Sequence, residues 1–451
     1  MKYKQLFLLL IILLVLLTLL PKLNQFYSNT KKVNLDVSEL EDHTQIQNLE
    51  LNWYQIWGGL EYEWGGYLVV DSSENIYITG STESYGKGSR DVFLAKYNNL
   101  SQFLWNITWG GPKREDAYGI ALVKSNNVYI VGGTYSYSSG GCDLCLIKFN
   151  ENGLHQNNFT WGGKYDDYGT SIAIDNENNI YITGMTNSTG LYENDIFLIK
   201  LNSSLLIEWV HTWGGSKFDM GYDIAIDNFS NIYVGGRTDS FGSGSGDICV
   251  IKYNNSGTQI WNRTWGGISH DYCSGIAIDS SDSIYIAGST SSYGSGQFDI
   301  CLVKYNHTGL KIWEKIWGGN YNDEARAIAI DESKNVYITG ESGSSQNPEG
   351  NLCLLGFNYL GDVNIIKTWG GSDKDIGISV QIQPNCSYYI GGWTESYGYG
   401  VPNIVLLKYS ESSGGGELLI YGFNEFILVI SILGIILIKV ARKKMFEIRF
   451  L

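Results

Sequence analysis

Residues 161–212 read WGGKYDDYGTSIAIDNENNIYITGMTNSTGLYENDIFLIKLNSSLLIEWVHT, and this stretch decides the fold because it is one copy of a repeat. Trp-Gly-Gly occurs seven times, always 52 residues after the previous copy and without an insertion or deletion. The copies begin at Trp57, Trp109, Trp161, Trp213, Trp265, Trp317 and Trp369. A period of this length indicates that one supersecondary unit is stacked or arranged in a ring.

Each unit predicts four β-strands. The quoted unit contains four short segments rich in β-branched and aromatic residues, at 170–174, 180–184, 196–201 and 207–213, and each is bounded by Gly, Asn, Asp or Ser. A helical solenoid is excluded because the apolar residues show no helical period. Four strands in each of seven units predict an all-β chain that folds as a seven-bladed β-propeller with four-stranded blades.

The ends of the array predict how the ring closes. Residues 51–57 match the fourth strand of a unit, whereas the last unit ends after its third strand, near Tyr409. We therefore expect the N-terminal strand to complete the last blade, which removes the exposed sheet edges of an open array. The predicted propeller spans residues 51–410.

The repeated elements are similar to those of a known family. Each unit follows the order Trp-Gly-Gly, Ile-Ala-Ile-Asp, Asn-Ile-Tyr-Ile-Thr-Gly, Ser-Tyr-Gly-x-Gly and Lys-Tyr-Asn, with small variations between copies. This order resembles the extracellular β-propeller repeat known as SBBP. The resemblance implies a prokaryotic surface or secreted propeller, and it implies no reaction.

Composition and charge narrow the class of function. The chain has 451 residues with 55 Gly, 5 Pro and 17% charged side chains, which is typical of a globular β-rich protein and excludes collagen, coiled coil and disorder. The net charge of −15 opposes a nucleic-acid partner, because a protein that binds phosphates needs a basic face.

Both termini carry membrane or export signals. Residues 1–24 combine two early lysines with an apolar run and predict a signal peptide or an N-terminal anchor, followed by a linker at 25–50. A second linker at 411–417 leads to the apolar segment 418–438, which predicts a C-terminal transmembrane helix, and 439–451 form a basic cytoplasmic tail. The propeller should then lie outside the cell, and Asn-x-Ser/Thr sites such as those at Asn106 and Asn187 predict a glycoprotein.

An acid stands six residues after every repeat tryptophan. The seven acids are Glu63, Glu115, Asp167, Asp219, Asp271, Asp323 and Asp375. One interpretation is a ring of carboxylates at one mouth of the central channel, where a cation such as Ca²⁺ would bind. The other interpretation is that each acid accepts backbone N–H hydrogen bonds within its own turn.

A loop aromatic and one variable position are candidate ligand contacts. The loop between the second and third strands repeats an aromatic residue, which either stacks on sugars or packs against the next blade. These aromatics are Tyr85, Tyr137, Phe241, Tyr293 and Tyr397. The position after the fixed glycine is the least constrained one in the repeat and includes Arg237, Glu341 and Trp393, while the same loops vary most at Tyr192 and Glu349. Neutral drift at an exposed site is the alternative explanation.

These patterns predict a membrane-anchored surface propeller that is not an enzyme and that binds an envelope glycan or a surface protein. A polysaccharide lyase or hydrolase that uses the acidic channel mouth is one alternative, and a structural coat component is another. The five histidines share no register, so neither a nucleophilic triad nor a histidine metal site is indicated.

Overall fold

The computed structural model describes residues 48–123, 126–189, 194–399 and 401–412. Within these residues 28 β-strands form seven antiparallel sheets of four strands each. The first strands of successive sheets contact one another, and the first strand of the seventh sheet contacts that of the first. The ring is therefore closed, and the predicted seven-bladed β-propeller is confirmed.

The strands fall into four concentric sets. The innermost strands are β2 (Glu63–Val70), β6 (Glu115–Leu122), β10 (Asp167–Ile174), β14 (Asp219–Ile226), β18 (Asp271–Ile278), β22 (Asp323–Ile330) and β26 (Asp375–Ile382). The second strands are β3 (Ile76–Thr82), β7 (Val128–Thr134), β11 (Ile180–Thr186), β15 (Ile232–Thr238), β19 (Ile284–Thr290), β23 (Val336–Ser342) and β27 (Ser387–Thr394). The third strands are β4 (Asp91–Tyr97), β8 (Asp143–Phe149), β12 (Asp195–Leu201), β16 (Asp247–Tyr253), β20 (Asp299–Tyr305), β24 (Asn351–Phe357) and β28 (Asn403–Glu411). The outer strands are β1 (Leu49–Trp57), β5 (Phe103–Trp109), β9 (His155–Trp161), β13 (Ile207–Trp213), β17 (Gln259–Trp265), β21 (Lys311–Trp317) and β25 (Val363–Trp369).

The hydrophobic core lies between neighbouring blades. Second strands such as β11 are buried along their whole length, whereas outer strands such as β9 are largely exposed. The repeat tyrosine belongs to this scaffold, because Tyr181 is buried and donates its hydroxyl to Asp175 Oδ2 at 3.2 Å. Asp175 also accepts the backbone N–H of Asn179 at 2.8 Å, which closes the predicted turn between the first two strands.

The N-terminal strand completes the seventh blade, as predicted. β1 pairs with β28 from Leu49↔Glu411 to Trp57↔Ile404, so the sheet order is β1-β28-β27-β26. Glu74 of the first blade stabilises the contact with the seventh blade. It accepts hydrogen bonds from the Asn385 side chain at 2.7 Å and from the Tyr389 hydroxyl at 2.9 Å. The strands run from Leu49 to Glu411, slightly beyond the predicted limits.

The two terminal signals fall on parts of the chain that the structure does not describe. The predicted export segment 1–24 and the basic tail 439–451 both lie there, as does the apolar segment 418–438. Among the described residues, no helix has the length and apolar character needed to cross a bilayer. Membrane attachment therefore stays a prediction.

Candidate binding site at the channel mouth

A β-bulge places one residue of every blade on the axis of the ring. The pairing between first and second strands skips one residue in each blade, for example between Gly169 and Ser171. The skipped residues are Gly66, Tyr118, Thr170, Tyr222, Ser274, Arg326 and Ile378. Bulges are known to redirect side chains near functional sites. Here each of the seven blades has one such unpaired position, and the seven positions carry six different residue types.

Six of these residues, all except Gly66, line a cavity of about 570 Å³ on the axis. Its walls come from all seven blades. The lining residues are Tyr67, Tyr118, Tyr168, Thr170, Met185, Asn194, Phe218, Met220, Tyr222, Tyr272, Cys273, Ser274, Arg326 and Ile378. We call the face that carries the loops between second and third strands the upper face; the cavity extends from this face into the channel.

Tyrosine hydroxyls supply much of the polar surface of the cavity. Tyr168 shares a hydrogen bond of 2.7 Å with the Tyr135 hydroxyl, and Tyr272 donates its hydroxyl to Glu324. Tyr67, Tyr118 and Tyr222 are partly buried, and their hydroxyls make no hydrogen bond to any described residue. Burial raises the pKa of Tyr67 to about 12, so its phenol is neutral and able to donate at physiological pH.

Among the described bulge residues only Arg326 is charged, and nearby carboxylates balance its charge. Its Nη2 atom lies 3.0 Å from Glu324 Oε2 and 3.0 Å from Glu341 Oε1. Lys374 Nζ lies 2.9 Å from the second oxygen of Glu341. Two cations and two carboxylates therefore form one network at the junction of blades five to seven. The Nε atom of Arg326 is buried without a hydrogen-bond partner.

The variable position after the fixed glycine lies beside this cavity, on the second strand. Arg237 pairs across the sheet with Met220, which lines the cavity, but its guanidinium turns to Asp239, with Nε 2.7 Å from Oδ1. Glu341 is buried in the ion network. Trp393 is also buried. Its ring lies edge-on to the Trp64 ring at 5.7 Å.

Of the two candidate residues in the variable loops, the structure describes only Glu349. Glu349 is exposed in the loop of the sixth blade and contributes to raising the pKa of Glu395, for which burial is the main cause. Tyr192 lies outside the described residues. Sequence variation therefore marked positions beside the cavity and in the upper loops, although it did not separate buried residues from exposed ones.

The seven repeated acids are buried, each within its own blade. In blades two to seven one carboxylate oxygen accepts the backbone N–H of the glycine four residues earlier, as when Asp167 accepts from Gly163 at 2.8 Å. Glu63 accepts the Thr82 hydroxyl at 3.1 Å. These bonds follow the second interpretation, in which the acid serves its own turn. Among the described residues no group of three or more His, Cys, Asp or Glu side chains is arranged for a metal ion, and Ca²⁺ binding stays a prediction.

A second carboxylate faces the repeated acid across most blade junctions. A Cβ placed on Gly266 would lie 2.4 Å from Asp247 Oδ1 and 2.7 Å from Asp271 Oδ2, so both carboxylates crowd this glycine. Burial raises the pKa of Asp247, and the Asp271 charge raises it further. The first glycine of Trp-Gly-Gly is thus required by the close approach of two carboxylates.

The loop aromatics pack against the neighbouring blade. The Tyr85 ring lies 5.5 Å from the Trp57 ring, and its hydroxyl donates to the Gly58 carbonyl at 3.1 Å. Phe241 makes the same ring contact with Trp213 at 5.0 Å. Tyr85 nevertheless remains 46% exposed, so one side of its ring is open to solvent. These residues serve an interblade contact and leave sugar stacking as a prediction.

Sequence reasoning missed the bulge residues and their neighbours. The missed position lies nine residues after the repeat tryptophan and carries Gly, Tyr, Thr, Tyr, Ser, Arg and Ile in turn. This variation was visible in the sequence. The sequence did not show why the position varies, because only the strand pairing shows that these residues are unpaired in the sheet.

Comparison with known proteins agrees with this architecture. The family model described as SBBP, β-propeller repeat, matches residues 161–192, 214–242, 266–294 and 313–345, which belong to four successive repeats. Four of the seven repeats of this β-propeller thus match the SBBP repeat. The resemblance inferred from the repeat is therefore confirmed.

Two curated relatives and one solved structure show similarity to this propeller. An uncharacterized WD repeat-containing protein of Acanthamoeba polyphaga mimivirus is 26% identical over 60% of this chain and 24% of that protein. The regulatory protein FlaEY of Caulobacter vibrioides is 28% identical over 25% of this chain and 13% of that protein. The chain thus spans a quarter or less of either relative. The WD40 domain of Neurospora crassa Pan2 has a TM-score of 0.53 at 8% identity and covers 83% of this chain and 99% of that domain, which shows the fold alone.

Proposed function

We propose that this propeller is a non-enzymatic binding module that recognises an envelope glycan or a surface protein at the upper channel mouth. The observation that carries the proposal is the bulge. A frame that is otherwise repeated seven times directs the bulge residues of six blades, which are of five different types, into one cavity. Repeated positions serve the blade, whereas divergent positions that converge on one cavity are what a specific binding site needs.

The chemistry of the site supports binding more than catalysis. Glycoside cleavage by acid and base requires two carboxyl groups in contrasting environments that both reach the substrate. The repeated acids are buried in their own blades, where Asp167 accepts the Gly163 N–H and Glu63 accepts the Thr82 hydroxyl. In the cavity, Glu324 is held by Arg326 and the Tyr272 hydroxyl. We therefore rank recognition above lyase or hydrolase activity.

The proposal includes display outside the cell. The apolar segment 418–438 and the basic residues after it are proposed to anchor the chain, with 1–24 acting as export signal or second anchor. The described strand order supports one feature of this arrangement. Both chain ends, at Leu49 and Glu411, leave the propeller opposite the upper face, because β1 and β28 are antiparallel partners whose other ends reach the upper loops. The channel mouth would then face away from the attachment point.

Binding of the detergent-solubilised full chain to a microbial glycan array, in Ca²⁺ and again in EDTA, tests the proposal. We expect selective binding that Arg237→Ala or Glu349→Ala on the upper face weakens. Phe229→Ala is the matched control, because Phe229 is 73% exposed on a turn of the opposite face. Binding that the control abolishes and the upper-face variants leave intact would contradict the proposed site. Loss in EDTA would support a Ca²⁺ requirement.

A further inference from the structure

The cavity holds hydrogen-bonding groups that the protein does not use. The hydroxyls of Tyr67, Tyr118 and Tyr222 make no hydrogen bond to a described residue, and Arg326 uses only Nη2 in its two ion pairs. Polar groups in a partly enclosed space need partners, since leaving a donor or acceptor unsatisfied costs about 1–3 kcal/mol. Water supplies these partners until a ligand with several hydroxyl groups replaces it.

The charge of the cavity favours a neutral ligand. Arg326 is flanked by Glu324 and Glu341 at 3.0 Å each, and Lys374 balances the second glutamate. A phosphate or a carboxylate would approach one guanidinium with two carboxylates beside it. A quaternary ammonium group would find an aromatic lining, but it would meet the positive charge of Arg326. Neither sign of charge gains from this network.

The walls combine flat apolar surfaces with hydroxyl groups. The rings of Tyr118 and Tyr222, together with the side chains of Met220 and Ile378, give the cavity apolar faces at different blades. A lipid would fill the apolar surface and leave the hydroxyls unpaired. A sugar ring satisfies both, because its C–H face packs on aromatic rings while its hydroxyls form hydrogen bonds.

The size and position of the cavity limit how such a ligand enters. A volume of about 570 Å³ lies within the usual range for small-molecule sites. The lining comes from all seven blades, so the site is enclosed around the axis and open along it. We infer that this cavity binds one or two neutral sugar residues, either free or at the end of a glycan chain that enters from the upper face. This inference rests on the proposed function and names its ligand class.

Titration of the solubilised full chain with neutral hexoses and N-acetylhexosamines, a hexuronic acid and a hexosamine tests the inference by calorimetry. We expect a neutral sugar to bind, and Tyr222→Phe and Tyr118→Phe each to weaken it about threefold to tenfold, because each removes one hydroxyl and keeps the ring. Tyr359→Phe is the matched control, since Tyr359 is 56% exposed on an outer turn. Unchanged unfolding midpoints of all three variants would show that the fold is intact.

Each contrary result has its own meaning. Tighter binding of the uronic acid or the hexosamine than of every neutral sugar would overturn the inference. Glycan binding that Arg237→Ala abolishes and both tyrosine variants leave unchanged would overturn it while the proposed function stands. If no glycan and no sugar binds, the inference and the glycan form of the proposed function are both overturned, and a surface protein remains the proposed partner.

Discussion

Gly184→Ala is expected to destabilise the propeller strongly. Gly184 is the glycine that every unit repeats three residues after its tyrosine. A Cβ at this position would lie 1.8 Å from the Tyr168 carbonyl oxygen and 3.0 Å from the Phe197 ring. The clash arises from packing, because the first strand crosses directly over this glycine next to its bulge.

The magnitude follows from the size of the clash. Carbon and carbonyl oxygen approach no closer than about 3.3 Å even in favourable contacts, so the strands must separate by roughly 1.5 Å. A backbone oxygen cannot rotate away as a side chain would. Overpacking costs about 1–3 kcal/mol where side chains can adjust, and occasionally more. We therefore expect a loss of about 3 kcal/mol in the free energy of unfolding, slightly reduced by the lower entropy of the unfolded alanine chain.

Gly319→Ala provides the matched control. An added Cβ at Gly319 meets no atom within 4 Å, and alanine keeps the backbone N–H that donates to Asp323 Oδ2 at 2.8 Å. This variant should stay within about 0.5 kcal/mol of the wild type. Urea unfolding followed by tryptophan fluorescence measures both midpoints. A Gly184→Ala midpoint equal to that of Gly319→Ala would refute the steric explanation.

Three further outcomes are expected from the same unfolding measurements or from chromatography. Asp247→Asn should raise the urea midpoint at pH 7, because burial and Asp271 raise the pKa of this carboxyl in the folded state and its charge therefore opposes folding. The stabilisation should vanish below pH 3.8, the ordinary pKa of the group, because the wild-type carboxyl is then protonated in both the folded and the unfolded state. A midpoint lowered at pH 7 would contradict this sign. Thr186→Val removes the hydroxyl that donates to buried Asp167 and should cost about 1–3 kcal/mol, whereas an unchanged midpoint would show that the bond contributes nothing. Deleting Leu49–Trp57 leaves the seventh blade with three strands and an open edge, so we expect aggregation in place of a monomeric peak, and a stable monomer would disprove the closure.

The scaffold was predictable from the sequence because comparison of the seven repeats shows which positions are fixed. Trp-Gly-Gly, Tyr181 and Gly184 recur in register, and each now has a structural reason within the blade or at its junction. The closure was predictable too, since the half-unit at the start complements the half-unit at the end. The largest difference in a strand limit is at the start of the first strand, which begins at Asp167 and not at residue 170, because its first residues show no apolar pattern. The second strand also extends two residues further than predicted, to Thr186.

The candidate site could be only partly predicted. Variation at Arg237, Glu341 and Trp393 indicated the face on which the cavity opens, but a sequence does not show that two of these side chains are buried by partners on other strands. The bulge had no sequence signal, because Gly, Tyr, Thr, Ser, Arg and Ile all occupy it. The geometry of the bulge explains why the residue type can vary there. A residue outside the ladder can change without breaking a cross-strand pair, so the channel can diverge while the blade stays constant.

The structure also changes the interpretation of the repeated acidic residues. In one interpretation of the sequence, the seven repeated acids formed an acidic channel mouth that would bind a cation. In the structure, repeated acids such as Asp167, Asp175 and Asp247 accept hydrogen bonds from turns and junctions within their own blades, and the charges at the cavity wall are balanced around Arg326. The acidity therefore belongs to the scaffold. Because the cavity is neutral, its ligand must be selected by shape and hydroxyl placement, and changes at uncharged residues such as Tyr222 should alter specificity more than changes to the overall charge.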